Sequence, residues 1–287
     1  MSKVWLVTGS ARGLGRDIAE TALAAGNRLI ATARDPAALA PLKTRYGDRV
    51  RVAILDVTDA QAARRAVQLA VEAFGCLDVL VNNAGFGHIA PFEQVPEDNF
   101  RAQMDTNFYG VVNLIRAALP IMRRQRSGHI INISSVGGRM TTPGLSAYQA
   151  AKWAVGGFTE VLAQEAAPFG VKVVSVEPGA MRTQWGQVAT AQIPDLLPDY
   201  EPSVGALLQM LAPHINQAGG EPAKVAQVIL RLADHARPPA HLVLGSDALH
   251  YLGVADTARD SAAASWRGVS ESTDFAATGP IPAFPNS

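Results

Sequence analysis

Tyr148 and Lys152 stand four residues apart in the stretch LSAYQAAKWAVGGF, residues 145–158. The run is alanine-rich and holds no proline, so it predicts a helix. Four residues are about one helical turn, so both side chains reach toward the same point. Two costly polar groups on one face of an otherwise small, apolar helix raise the question of what they reach for. The bland alternative is a snorkelling surface pair, because this spacing arises often by chance.

A second group of residues opens the chain. VTGSARGLGRDIAE places Gly9, Gly13 and Gly15 between the first strand and the first helix. Glycine permits a tight turn and lets backbone N–H groups come close to a phosphate, and the helix N-terminus favours an anion. The spacing is G-x-x-x-G-x-G rather than G-x-G-x-x-G. The second strand ends at Ala33 and is followed by Arg34, where an acidic residue would hold the ribose 2′-hydroxyl of NAD. Arg12 and Arg34 suit a 2′-phosphate instead, so the expected cofactor is NADP(H), with NAD(H) possible. Asp35 is the counter-evidence: it either reaches a 2′-hydroxyl or caps the next helix.

These residues need a scaffold. Short apolar runs at 4–8, 28–33, 50–55, 79–81, 129–133, 171–176 and 241–244 read as strands, several without polar alternation. Amphipathic stretches at 14–25, 37–46, 60–74, 97–125, 147–169 and 222–235 read as helices, with Asp59 as an N-cap. The alternation predicts an α/β fold, a doubly wound parallel sheet with helices on both faces and ligands at the carboxyl ends of its strands. Residues 182–220 form a long connection suited to a substrate lobe or lid, with helical spacing at 203–215. The expected catalytic domain is 1–253. Residues 254–287 are a C-terminal extension that begins helix-like and ends irregularly in TGPIPAFPNS.

Composition narrows the function. With 25 basic and 25 acidic residues among 287, and no long basic run, a nucleic-acid partner is not expected. No run reaches membrane-spanning length, and the six histidines form no zinc motif. The single cysteine, Cys76, leaves no internal disulfide and fits a reducing, cytoplasmic setting.

Taken together, the motifs resemble those of the short-chain dehydrogenase/reductases. TGSARGLG (residues 8–15) matches the glycine motif, LDV (55–57) the adenine-contacting segment and NNAG (82–85) the fourth-strand motif. Asn107, INISS ending at Ser135, Tyr148 with Lys152, and Pro178–Gly179 follow in the family's order, so the resemblance covers nearly two-thirds of the chain. It implies a seven-stranded parallel sheet in a single domain, an NAD(P)(H) cofactor, a small carbonyl or alcohol substrate, no metal, and a dimer or tetramer.

The resemblance also implies roles. Tyr148 is the general acid/base, Lys152 lowers its pKa and holds the nicotinamide ribose, and Ser135 bonds the substrate oxygen, with Ser134 the competing serine. Asn107 fixes a water linking Lys152 to solvent, or simply bonds backbone. Ala11, Arg12, Gly13, Leu14 and Gly15 with Gly9 surround the phosphates, and Asp56 and Val57 lie by the adenine. Asn83, Ala84, Gly85, Pro178, Gly179 and Thr183 complete the cofactor site. Met140, Leu145, Gln149 and Trp185 are candidates to line the substrate pocket. Gly156 and Gly157 weaken a helix, which suggests close approach of another helix, as at a subunit interface.

The long tail and the 182–220 lobe depart from the minimal family pattern. They and ARDPAAL resemble the branch grouped with 17-beta-hydroxysteroid dehydrogenases, without making the substrate a steroid. Two other readings stay open: a sugar-nucleotide epimerase or dehydratase, and a non-catalytic cofactor sensor.

Overall fold

The computed structural model describes residues 2–191, 193–211, 219–277 and 279–285. Residues 212–215 of the expected helical stretch, and 278, 286 and 287 of the tail, lie outside them.

The chain alternates as its apolar pattern requires. β1 (Val4–Val7), α1 (Gly13–Ala24), β2 (Arg28–Ala33), α2 (Ala40–Tyr46), β3 (Val50–Ile54) and α3 (Ala60–Phe74) build the first half. β4 (Val79–Asn82), α4 (Glu97–Met104), α5 (Gly110–Gln125), β5 (Gly128–Ile133), α6 (Ser146–Ala166) and β6 (Val171–Pro178) build the second. The lobe carries α7 (Trp185–Thr190) and α8 (Ala206–Leu211). Then come α9 (Pro222–Leu232), β7 (His241–Leu244) and α10 (Ser246–Glu271).

All seven strands are parallel, in the order β3-β2-β1-β4-β5-β6-β7. The order reverses between β1 and β4, which opens a crevice at their carboxyl ends. Alternate strand residues serve opposite faces. Trp5 and Val7 of β1 join the core under α1 and α9, whereas Val4 and Leu6 join the core under α3, α5 and α6. Both faces of β1 are buried, which accounts for its continuous apolar run.

Three elements differ from the sequence pattern. The helix expected over 97–125 contains a π turn, Asp105–Tyr109, which carries Asn107. One extra residue in a turn leaves the apolar periodicity nearly intact, so the pattern does not register it. The segment at 36–39 is a 3-10 turn begun by Asp35, whose carboxylate accepts from Ala37 N at 2.9 Å. Finally, α10 runs unbroken through Gly253, so the division placed at residue 253 falls inside a helix. Its alanine-rich sequence tolerates two glycines, Gly253 and Gly268. The described part of the tail has no regular element beyond a turn, and Phe284 packs on Trp266 with ring centroids 5.1 Å apart.

A buried polar relay ties the central strands to α6. Asn82 Nδ2 donates to Asn132 Oδ1 at 2.8 Å, and Asn132 Nδ2 donates to Thr159 Oγ1 at 2.9 Å. Asn132→Ala leaves both partners buried without it, so unfolding free energy should fall by about 1–3 kcal/mol. Denaturant melts check this, and a variant as stable as the parent would refute the relay's part in the fold.

Candidate active site

The glycine loop, the ends of β4 and β5, and the first turns of α6 meet at the crevice. Gly9 and Gly13 have φ of 68° and 54°, values that favour glycine. A Cβ at Gly15 would lie 2.3 Å from Gly9 O and 2.4 Å from Asn83 Nδ2, so helix and loop touch backbone to backbone. Asn83 Nδ2 donates to Thr8 O at 2.9 Å, and Thr8 Oγ1 accepts from both Asn83 N and Ala84 N. Thr8 is therefore a clamp between β1 and β4 that the motif reading did not single out.

Around the loop, Leu14 is buried and Ala11 is half-buried against the core. Arg12 and Arg34 are both exposed, with Arg12 Nη1 donating to Gln184 Oε1 at 3.5 Å. Asp56 Oδ1 accepts from Thr58 N and Oγ1, while Val57 is buried. Gly179 N donates to Leu244 O, and a Cβ there would strike the Asp247 carboxylate. Thr183 lies against Gly13: a Cβ on the glycine would come within 3.8 Å of Thr183 Cβ.

The four candidate reacting residues converge. Tyr148 and Lys152 lie on one face of α6, 9% and 5% exposed. The Ser135 hydroxyl lies beside Tyr148, where it favours the ionised phenol, and accepts from Gly137 N at 3.0 Å. Ser134 Oγ instead donates to Lys152 O, which separates the two serines. Lys152 Nζ donates to Ile133 O at 2.8 Å and lies 5.6 Å from the Tyr148 ring centroid. Asn107 Oδ1 accepts from Phe86 N and its Nδ2 donates to Phe86 O, so its side chain bonds backbone. A Cβ on Gly85 would meet Asn107 Oδ1 at 2.5 Å and Lys152 Nζ at 3.6 Å, so the glycine lets the Asn107 side chain lie against the backbone close to the lysine.

Burial governs the electrostatics. It pushes Tyr148 up to about 12, only partly offset by the Ser135 hydroxyl. It pulls Lys152 down to about 8. Desolvation thus outweighs the lowering of the tyrosine pKa expected from the ammonium.

The lobe covers this set. Trp185 lies with its ring centroid 5.0 Å from that of Tyr148, and a Cβ on Gly87 would strike its ring. Leu145, Ile89, Ala189 and Val204 form an apolar cluster with Tyr148, with Trp185 packed against it. Gln149 is turned to the loop: its Oε1 accepts from Thr142 N and its Nε2 donates to Thr142 Oγ1. Met140 Sδ accepts from Thr142 Oγ1 at 3.6 Å. A cleft of about 450 Å³ lies behind this wall, lined by Phe92, Gln149, Trp153, Tyr200 and Val204 but not by Tyr148 or Ser135. The close neighbour of Gly156 is the His241 ring of β7, at 3.6 Å from a Cβ position, and not another helix; Gly157 faces open space. Among the described residues no cluster could hold a metal ion, and no helix is long and apolar enough to cross a membrane.

The lysine carries a pH signature. Between its folded value of about 8 and its ordinary 10.5, the folded chain binds fewer protons than the unfolded chain, so stability rises with pH. Lys152→Met removes that slope. The stability of wild type relative to the variant should climb from about pH 8 to about pH 10.5; thermal melts at stepped pH check it, and a flat difference contradicts a buried, titrating lysine.

The comparisons with known proteins agree with this geometry. Residues 3–193 match the short chain dehydrogenase family profile. An oxidoreductase, BOA17 of Botryotinia fuckeliana, is 45% identical over 271 residues, 94% of this chain and 98% of that protein. A short-chain dehydrogenase from Streptomyces avermitilis superposes with a TM-score of 0.89 at 40% identity, covering 96% of this chain and 100% of that one. The structure of ElxO with NADP bound superposes with a TM-score of 0.74 at 28% identity, over 87% and 100% of the two chains. Sequence, fold and the arrangement at the crevice converge: the chain belongs to the short-chain dehydrogenase/reductase family of oxidoreductases.

Proposed function

We propose that this protein is an NADP(H)-preferring oxidoreductase of carbonyl and alcohol substrates, with Tyr148 as general acid/base. The observation that carries the reading is the placement of buried Tyr148 and Lys152 on one face of α6, one helical turn apart, with Ser135 beside the phenol. The residues fit a dinucleotide. The tight glycine turn at Gly9, Gly13 and Gly15 opens α1 at the crevice, where backbone N–H groups and the helix N-terminus favour a pyrophosphate, and Thr183 borders the loop. The exposed Arg34 supports a 2′-phosphate partner, as does Asp35, whose carboxylate is already engaged in capping. ElxO, which binds NADP, supports the same preference.

When bound, the cofactor supplies or accepts hydride at the substrate carbon. Tyr148 gives its proton to the developing alkoxide in reduction and takes it back in oxidation. Ser135 bonds the same oxygen and orients it. The raised pKa of Tyr148 keeps its proton available for donation, and the Lys152 ammonium is placed to stabilise the phenolate left behind. Trp185, Leu145 and their neighbours exclude water, which strengthens these interactions. Exposed Leu249, Tyr251, Val254 and Trp266 along α10 support association of copies, read by light scattering. The lone cysteine supports a reducing, cytoplasmic setting.

The test is NADPH and NADH oxidation against ketones, aldehydes, quinones and keto-steroids. Tyr148→Phe should lower turnover by about 10²–10⁴-fold while NADPH still binds. Arg34→Ala should lower the NADPH/NADH preference by about tenfold or more. Tight NADPH binding with no turnover of any carbonyl would favour a cofactor sensor, and an unchanged preference in Arg34→Ala would remove the 2′-phosphate assignment.

A further inference from the structure

A charged cluster lies behind the Ser135 turn, and the chemistry above does not use it. Glu177 is the one acidic residue in β6, next to its end, and is 1% exposed. Its Oε1 accepts from Ser175 Oγ at 3.0 Å and pairs with His241 Nδ1 on β7. Its Oε2 has no hydrogen-bond partner among the described residues, and the cation facing it is the Arg139 guanidinium, 3.6 Å away. Glu160 of α6 faces the other side of the imidazole, 3.6 Å from His241 Nε2. Gly156 leaves room for that ring.

Arg139 links this cluster to the reacting set. It ends the single turn Val136–Gly138 that begins from Ser135. Gly138 N donates to Ser135 O at 2.9 Å, Arg139 N to Val136 O at 2.8 Å, and Gly137 N to the Ser135 hydroxyl. From outside, Arg259 of α10 donates to Arg139 O at 2.8 Å and its guanidinium lies over the Trp153 ring. The turn is thus faced at its far end by a buried carboxylate and held at its near end by the Ser135 hydroxyl, which accepts from Gly137 N and lies beside Tyr148. A buried ion pair contributes little net stability over a well-packed apolar pair; what it supplies is a demand for one geometry.

We propose that Glu177 is a positioning residue: by holding Arg139 it sets the Ser135 turn, and so aims the Ser135 hydroxyl at Tyr148. The catalytic consequence rests on the oxidoreductase reading, but the positioning itself is measurable without turnover.

The first experiment is amide hydrogen exchange on the full chain, comparing wild type with Glu177→Gln and Arg139→Met. Glutamine keeps the volume and an acceptor for Ser175 while removing the charge that faces Arg139. Amides 137–139 should exchange about tenfold faster in either variant and no faster in the double variant, with β1 and β4 unchanged. Unchanged exchange in the turn, or uniform acceleration across the sheet, overturns the proposal. Arg139→Met alters a partly exposed side chain, so it carries the test if Glu177→Gln does not fold. The second experiment uses NADPH with a carbonyl from the panel. Glu177→Gln should lower kcat by about tenfold with the KM for NADPH little changed, and the loss should vanish in a Ser135→Ala background. A loss that persists there overturns the route through Ser135. A wild type that reduces nothing would count against the oxidoreductase reading alone, leaving the exchange result to decide the positioning.

Discussion

Helix α6 is seated against the carboxyl end of β5 by hydrogen bonds that run in both directions between the two elements. Lys152 Nζ reaches Ile133 O, Ser134 Oγ reaches Lys152 O, and Asn132 Nδ2 reaches Thr159 Oγ1. Gly138 permits the approach, since a Cβ there would lie 2.8 Å from Lys152 O. Because these contacts join backbone to side chain at fixed distances, α6 has little freedom to slide, and Tyr148 and Lys152 inherit that rigidity. Each of these three contacts pairs a buried donor with a buried acceptor, and such paired polar groups rigidify a structure.

The same seating sets the electrostatics. It buries a phenol and an ammonium together, and burial disfavours the charged form of each, raising Tyr148 to about 12 and lowering Lys152 to about 8. A site of this kind responds strongly to any charge that develops inside it. The apolar cluster of Trp185, Leu145, Ile89 and Val204 completes the enclosure. The fold supplies this environment to many chemistries, so family membership describes the scaffold and the type of reaction, while the lobe is what lies over Tyr148.

Charge placement follows one logic across the crevice. Exposed arginines, Arg12 and Arg34, stand where an anionic ligand would meet solvent. Glu177 and Arg139 instead face each other behind the Ser135 turn, with the carboxylate fully enclosed. The first arrangement is open to solvent; the second is enclosed.

Much of this protein was legible as a string of residues. Arg28–Ala33 and His241–Leu244 of the sheet and the helix Ala60–Phe74 fall at the expected boundaries, and Asp59 caps that helix through Gln61 N. Apolar periodicity, capping and glycine punctuation are local, and local rules survive without knowledge of the fold. Tyr148 and Lys152 stood out as a pair because their spacing is one helical turn, whereas Ser135 was named by the resemblance of INISS to the family's motif. Four matters waited for tertiary structure: the π turn at Asn107, the direction in which burial shifts Tyr148, the partner of Gly156, and the Glu177–Arg139 pairing. A lone glutamate in VKVVSVEP was visible as an anomaly, but nothing in the string names the arginine 38 residues earlier that faces it. Sequence by itself determined which elements form and which residues are equipped for proton and phosphate chemistry; burial and the pairing of distant residues were decided only when the sheet brought β5, β6 and α6 together, because desolvation and long-range contact are properties of packed neighbours and not of spacing.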